Sequence, residues 1–520
     1  MFSIIVLLLF VLGITIRFIP RYVYPMAIVS DTFFHLQVAK EILDNNFRIP
    51  LNLKSYTLPH THNYPPLFHF FLSLFGIKYI DVIERYINVF LDLFNVFLVY
   101  ILSDLLFKND FQLAIYSTLF YLFSPVLFRT ASGPRIFSGT PRVLGQTLFL
   151  LHFLFFIACP NDKLVYVIFF ILSSLFFSLL IITSKFALQV ILFFTPVFIY
   201  LDYKYLLIFL SGLLLAMVLF PKLTISLLKL HIKHSIHYAL VVQQNLLYPK
   251  FYSLKKYFFD LGYHVLRFWK IKKLLKFIWS NNHSLNYLLF IFFYFPLIFI
   301  MFFKYDIVGN QSVLFTLTLY SLIVFILTKN KPFLFLGEGE RYLEYALPFI
   351  IVLFCSQLLK LSNDFFIFSF LIVSIIITLF SVYSAFEYLR KVSDKNQELF
   401  SLKTHLGSNN PNVFTIFHYM SKEISYLLNV NVLAYYPGGI DYEKTPKSEL
   451  EFIYKNGTYV ASTNILEVCE KYNIEFVICE KGHLKSYLDN IYERSESFFW
   501  NSFFISHQTD NLLVLKKTNR

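Results

Sequence analysis

Charge is scarce in this chain. Only 15% of its 520 residues are Asp, Glu, Lys or Arg, where soluble domains carry about 25%. With 57% hydrophobic residues and a mean hydropathy of +0.61, that deficit excludes a soluble enzyme, because no single soluble core encloses 66 Phe and 36 Tyr side chains. Cysteine is nearly absent too. Four Cys make no disulfide scaffold in so long a chain, and their spacing matches no metal motif. Cys159 and Cys355 lie in apolar runs and read as small buried hydrophobes, while Cys469 and Cys479 lie in the polar tail. The charges that remain are unbalanced, 45 Lys and Arg against 32 Asp and Glu, a net +13. Beside a bilayer, that surplus points to anionic lipid as the partner and away from nucleic acid.

Long apolar runs are abundant. Crossing roughly 30 Å of hydrocarbon takes about 20 helical residues. Runs of that kind lie at 2–19, 82–106, 111–128, 143–159, 164–182, 186–200, 203–220, 285–303, 311–328, 342–360 and 364–386. The expected fold is a polytopic α-helical membrane protein of about eleven spans. The first run lacks the charged n-region and small-residue cleavage site of a signal peptide and is taken as a span. Counting crossings from the amino terminus puts the connections 20–81, 129–141, 221–284 and 329–341 on one side, together with everything after 390. That side is expected to be outside, since long segments translocate largely regardless of charge. The organisation is then a transmembrane domain over 1–390 and a small extracytoplasmic α/β domain over 395–520, joined by a linker at Lys391 to Asn410. In the tail, 431–436, 475–479 and a hairpin over 498–516 read as strands, and 465–472 and 484–492 as helices.

The first long connection carries the most informative stretch, Ser30-Asp31-Thr32-Phe33-Phe34-His35-Leu36-Gln37. Its apolar spacing predicts an interfacial amphipathic helix capped by Ser30, with Asp31 and His35 on one face. A carboxylate at that helix start can take a proton from an incoming hydroxyl or hold a divalent metal ion; equally, it can be a capping aspartate beside a surface histidine. Pro65 and Pro66 open a second short helix whose Leu67, Phe68, Phe71 and Leu72 are expected in the interface. His60 and His62 precede it without a third ligand in a spaced motif.

This order of features, an N-terminal span, a loop helix with an Asp near its start, Tyr64-Pro65-Pro66-Leu67-Phe68-His69 and a span opening near Arg85, resembles the GT-C superfamily of integral-membrane glycosyltransferases. Protein mannosyltransferases, aminoarabinose transferases and the catalytic subunits of oligosaccharyltransferases belong to it. The resemblance implies a polyprenyl- or dolichyl-phosphate sugar donor, inverting transfer of a hexosyl or pentosyl group on the outer face, and an acidic first-loop residue as base, a role that maps onto Asp31. The acceptor it implies is a protein, lipid or glycan. Two departures stand out: Asp31 is followed by Thr32 and Phe33 and not by a second acid, and the Trp-Trp-Asp-Tyr-Gly signature of oligosaccharyltransferases is absent, the tryptophans being Trp269, Trp279 and Trp500.

Arg129, Arg135 and Arg142 stand among Gly, Pro, Ser and Thr at the mouth of two spans, and arginine is well shaped to grip phosphate oxygens. Headgroup anchoring uses the same chemistry. In Gly337-Glu338-Gly339-Glu340-Arg341-Tyr342-Leu343-Glu344, the Arg-Tyr pair with Pro348 beyond resembles the donor-pocket segment heading a late GT-C span. Glu338, Glu340 or Glu344 would supply a second carboxylate, or would only pair with Arg341 and a nearby lysine. His231, His234 and His237 form a helical stripe in a basic amphipathic stretch. Asp92, inside an apolar run, and Lys185, between the runs 164–182 and 186–200, stand out as exceptions among the ionisable residues. The rival readings are a multi-pass transporter or lipid flippase and a non-catalytic assembly subunit.

Overall fold

The computed structural model describes residues 2–50, 53–59, 64–108, 110–128, 135–158, 162–237, 254–270, short stretches within 273–298, then 309–329, 333, 336, 339–360, 364–406, 410–417, 420–434, 445–455, 460–492 and 495–518. Its helices in the first part of the chain are α1 (Phe2–Val23), α2 (Ser30–Asp44), α3 (Leu67–Ser73), α4 (Gly76–Phe107), α5 (Phe111–Leu122), α6 (Pro141–Ile157), α7 (Lys163–Ile181), α8 (Lys185–Leu201), α9 (Tyr205–Leu219), α10 (Pro221–His237) and α11 (Leu254–Val265). Then come α12 (Asn310–Thr328), α13 (Gly339–Leu359) and α14 (Asp364–Ser401). The carboxy-terminal part alternates strand and helix: β1 (Asn412–Thr415), α15 (Ser421–Leu428), β2 (Asn431–Val432), α16 (Lys447–Ile453), α17 (Ile465–Lys471), β3 (Phe476–Glu480), α18 (Lys481–Asn490), α19 (Glu496–Ser502), β4 (Phe503–Gln508) and β5 (Leu512–Lys517).

The chain divides into two compact units, one built from residues up to Val23 and from Arg85 to Tyr388, the other chiefly from Tyr24–Glu84 and Leu389–Arg520. In the first unit, seven helices among the described residues are long and apolar enough to cross a membrane. The pair α9 and α10 adds an eighth span if taken as one; it bends by 114° where Pro221 opens α10. α6 and α8, at 17 residues each, are apolar but shorter. Of the eleven expected spans, 285–303 falls about half outside the described residues. The first unit is a multi-pass membrane bundle, and α13 forms its middle, buried along almost its whole length from Gly339 to Leu358.

The second unit holds a five-stranded sheet in the order β2-β1-β3-β5-β4, parallel from β2 to β3 and antiparallel from there on. The first loop adds an edge to it. Thr57 and Leu58 donate backbone N–H bonds to the carbonyls of Val432 and Leu433, each at 2.9 Å, and Val432 donates back to Ser55 at 3.0 Å. Leu58 is buried in the apolar core of this unit, with Phe414, Leu433 and Leu515. The 20–81 connection, expected as a loop of the transmembrane region, thus folds largely with the carboxy-terminal sheet.

Several local expectations are corrected. α2 is not an interfacial helix: ten of its fifteen residues, from Thr32 to Ile42, are buried, so its apolar side packs into the unit against α3 and α15. Val29, not Ser30, holds its N-cap position. Phe68 and Leu72 of α3 likewise point inward. The expected linker at 391–410 is helix as far as Ser401, because Leu389, Ser393, Asn396 and Leu399 recur at helical spacing on a buried face. Asn396 uses its amide to donate to the carbonyls of Met26 and Ile28, both at 2.8 Å. The strand expected at 431–436 shortens to Asn431–Val432, and the hairpin begins at Phe503 because α19 occupies the preceding turns, capped by Ser495. β1 and α15 had no counterpart in the sequence reading.

Candidate active site

In the first unit the charged groups expected around the donor meet at one end of the bundle. α6, α8 and α13 start side by side there. A Cβ built on Gly145 in the second turn of α6 would lie 2.5 Å from the Tyr345 hydroxyl of α13 and 3.0 Å from Ala187 Cβ of α8, so glycine is what permits this approach. The ring of Phe186 lies 5.0 Å from that of Tyr342 and 6.1 Å from that of Tyr345. Three helix amino termini, with their unpaired N–H groups and positive dipole ends, therefore converge.

Arg142, in the first turn of α6, bonds the Glu344 carboxylate of α13, and Gln146 one turn on donates to the Glu344 carbonyl at 2.7 Å. Glu340 bonds Lys329. Glu340 thus takes the nearby lysine that was one of the expected partners, and Glu344 takes Arg142, which was not. The Arg341 guanidinium lies 5.3 Å from the centre of the Phe186 ring. Tyr342 is buried and donates from its hydroxyl to the Leu336 carbonyl at 3.0 Å. Glu338 and Arg129 lie outside the described residues.

Arg135 is the most committed of the predicted cations. It is buried, with Nη1 at 2.5 Å from Asp92 Oδ1 and Nη2 on Gln146. Asp92 also accepts from Arg17 Nε at 2.9 Å, so one carboxylate stands between two arginines, all three buried. The backbone that follows is clamped: Asn88 donates to the carbonyls of Arg135, Ser138 and Thr140, and Arg21 to that of Phe137 at 2.8 Å. Breaking a buried pair leaves an uncompensated charge and costs about 3–5 kcal/mol, so Asp92 fixes the segment 135–140 as much as it neutralises it. Asp92, singled out in the sequence as an oddity inside a span, is a structural counter-ion.

The second unit holds Asp31. Its side chain, in the first turn of α2, is 75% exposed and takes Lys422 Nζ of α15 at 2.7 Å. His35, one turn on, is buried, and its Nδ1 meets Nε2 of His69 at 2.9 Å. The shared face predicted for Asp31 and His35 therefore serves two purposes, one turned to solvent and a lysine, one to a second imidazole. α15 binds the loop twice more, since Tyr426 hydrogen-bonds Asp81 and the Lys40 ammonium lies 4.0 Å from the centre of the Tyr426 ring. Glu41 of α2 is held above the usual carboxylate range, at about 7, by burial, against the pull of the Lys54 backbone N–H. Lys422 and Tyr426 were missed in the sequence, since nothing local marks a lysine nearly four hundred residues away as the partner of Asp31.

The metal expectation fits poorly. Among the described residues, no group of three or more His, Cys, Asp or Glu is placed to hold a metal ion, and Asp31 faces a lysine. His60 and His62 lie outside the described residues.

No protein-family model matches the sequence, and no curated protein matches it in sequence. Solved structures do match in three dimensions. ArnT from Cupriavidus metallidurans bound to undecaprenyl phosphate is 9% identical, with 99% of this chain and 98% of that chain covered at a TM-score of 0.53. The archaeal oligosaccharyltransferase AglB from Archaeoglobus fulgidus, in complex with an inhibitory peptide and a dolichol-phosphate, is 11% identical, with 91% of this chain and 69% of that chain covered at a TM-score of 0.55. This chain has the GT-C fold. The GT-C fold here keeps its membrane helices and a small carboxy-terminal sheet, at an identity too low for residue roles to be carried across.

Proposed function

We propose that this chain is a membrane glycosyltransferase, moving a hexosyl or pentosyl group from a polyprenyl-phosphate-linked donor to a protein, lipid or glycan acceptor on the outer face of the cell membrane. The observation that carries the reading is the cation-rich end of the first unit, where three helix amino termini meet Arg142 and Arg341. The GT-C fold shared with ArnT bound to undecaprenyl phosphate, and with AglB bound to dolichol-phosphate, supports it. Arginine and helix amino termini are general solutions for phosphate oxygens.

In this reading Arg142, Arg341 and Tyr342 face the donor phosphate, and Arg135 holds the 135–140 segment through Asp92. Asp31 acts as base: its carboxylate takes the proton of the acceptor nucleophile as that atom bonds the anomeric carbon. The bond from that carbon to the phosphate oxygen breaks with inversion, and polyprenyl phosphate leaves carrying the electron pair. Glu340 and Glu344 set the cations beside them, and His35 with His69 fixes α2. The carboxy-terminal domain is extracytoplasmic in this reading, and its helix α15 contributes Lys422 to the neighbourhood of Asp31. Purified protein incubated with radiolabelled polyprenyl-phosphate sugars and a cell-envelope extract is expected to transfer label to an envelope component. Absence of transfer from every such donor would contradict the proposal.

A further inference from the structure

The two sides of α11 (Leu254–Val265) differ. One side is packed: Tyr257 is buried and donates from its hydroxyl to Asn286 Oδ1 at 3.4 Å, and the His264 ring lies 4.8 Å from that of Phe277. The other side is apolar and exposed. At 3.6 residues per turn, Phe258, Phe259, Val265 and Leu266 fall within about a third of the helix circumference, and Leu266 continues the helical pattern by donating its N–H to Gly262 O at 2.8 Å. Phe259 is 74% exposed and Leu266 76%. Trp269, in the single turn that follows (Phe268–Lys270), is 66% exposed. A contiguous apolar stripe of this kind marks an interaction surface.

Cations border the stripe. From Leu254 to Lys270 the chain has Lys255, Lys256, Arg267 and Lys270 against a single acid, Asp260, and all four cations are exposed. Lys256 and Arg267 fall beside Tyr263 along one edge, where the Arg267 guanidinium donates to the Tyr263 hydroxyl and lies 4.1 Å from the centre of its ring. Lys255 stands at the start of the stripe, where a long stem rests on apolar surface while its ammonium stays in water.

α11 has 12 residues, about 18 Å of helix. That is too short for roughly 30 Å of hydrocarbon, so an apolar face with a basic edge lies on a bilayer and does not cross it. α11 belongs to the same compact unit as the membrane helices, so a bilayer surface is a partner the fold brings with it. A protein partner would need an apolar groove with an acidic rim. An anionic leaflet supplies both, acyl chains below and phosphates at the level of the cations.

We propose that α11 and the turn after it dock in the interface of an anionic leaflet, with Phe258, Phe259, Leu266 and Trp269 at the acyl boundary and the lysines and Arg267 on lipid phosphates. The partner is the bulk anionic phospholipid of the membrane, as distinct from a donor lipid. The inference stands whether or not the chain transfers sugar.

Trp269, Trp279 and Trp500 are the tryptophans of the chain, so Trp279→Phe combined with Trp500→Phe leaves Trp269 as a reporter. The full chain with both changes is placed one copy per nanodisc, in phosphatidylcholine brominated near the carbonyl end of its acyl chains, with or without phosphatidylglycerol. Trp269 fluorescence should be quenched, more strongly with phosphatidylglycerol, and high salt should shrink that difference because it screens exposed cations. Each cation near an anionic surface is worth a factor of about five in docking, so replacing Lys255, Lys256 and Lys270 together by Gln should raise the phosphatidylglycerol content at half-maximal quenching several-fold. Phe258→Ser with Phe259→Ser should abolish quenching at an unchanged unfolding temperature, since both side chains are exposed; a large fall in that temperature would show them packed against protein and overturn the docking face. Trp269 unquenched in every nanodisc overturns the proposal. Equal quenching with and without phosphatidylglycerol, or a lysine variant with the wild-type lipid dependence, overturns the choice of an anionic lipid. None of these outcomes touches the glycosyltransferase reading.

Discussion

Asp92 and Asp31 are the same residue type in opposite circumstances. Asp92 sits in the first unit with a side chain 0% exposed, between Arg17 and Arg135. Asp31 sits in the second unit with a side chain 75% exposed and Lys422 on one side. A carboxylate enclosed by two guanidinium groups has no open lone pair in reach of a substrate and serves the architecture. One that keeps most of its surface in solvent can meet a proton donor. In the proposed reading the difference separates charge that holds the bundle from charge that acts, and each variant below probes one side of it.

The largest effect is expected at Asp31. General-base contributions run to about 10²–10⁴-fold, so Asp31→Asn should lower the transfer rate by that order while the unfolding temperature stays within a degree or two of wild type. Asp92→Asn reverses the pattern. It leaves two buried arginines sharing an uncharged amide, and destabilisation by about 3–5 kcal/mol is expected from thermal unfolding in detergent; an Asp92→Asn protein as stable as wild type would show that the pair does not hold segment 135–140. Gly145→Ala comes next. Its added methyl meets Tyr345 and Ala187, and overpacking costs about 1–3 kcal/mol, read as a lower unfolding temperature and a rise in KM.

The second unit gives a pH-dependent prediction. Glu41 is raised by burial to about 7, so between its ordinary value of 4.5 and about 7 the folded state keeps a proton that the unfolded chain has lost. Its contribution to stability is therefore most favourable at low pH and is lost as pH rises through that window, by at most on the order of 3 kcal/mol. Glu41→Gln should flatten the dependence of unfolding temperature on pH between those limits. A slope that survives the substitution would assign it to another group. Lys422→Met is the smallest perturbation. An exposed ion pair is worth about 0–1 kcal/mol, so stability should hardly move, and a several-fold fall in kcat at unchanged KM would mark Lys422 as a positioning residue for Asp31.

The membrane helices were legible because hydrocarbon thickness sets their length and composition, so apolar runs alone located most of them. Their ends were less so. Lys185, between the expected runs 164–182 and 186–200, opens α8, and Ser184 before it carries the capping signal that the structure uses. Asp31 was found from its place before an apolar run, yet the burial of α2 was not, because the helix meets partners from α3 and α15 that no local pattern announces. The pairing of Arg17 with Asp92, 75 residues apart, and of Arg142 with Glu344, 202 apart, is set by helix packing and leaves no trace in spacing. α14 ran past its expected end because its outer half is polar on one side only. β1 escaped notice because a strand of four residues carries too little alternation to register.

The most direct measurement is the initial rate of label transfer from a polyprenyl-phosphate sugar by wild type and by Asp31→Asn, each with its unfolding temperature recorded on the same preparation. The account predicts a loss of about 10²–10⁴-fold in rate at unchanged unfolding temperature. An Asp31→Asn protein that transfers sugar at the wild-type rate would contradict it.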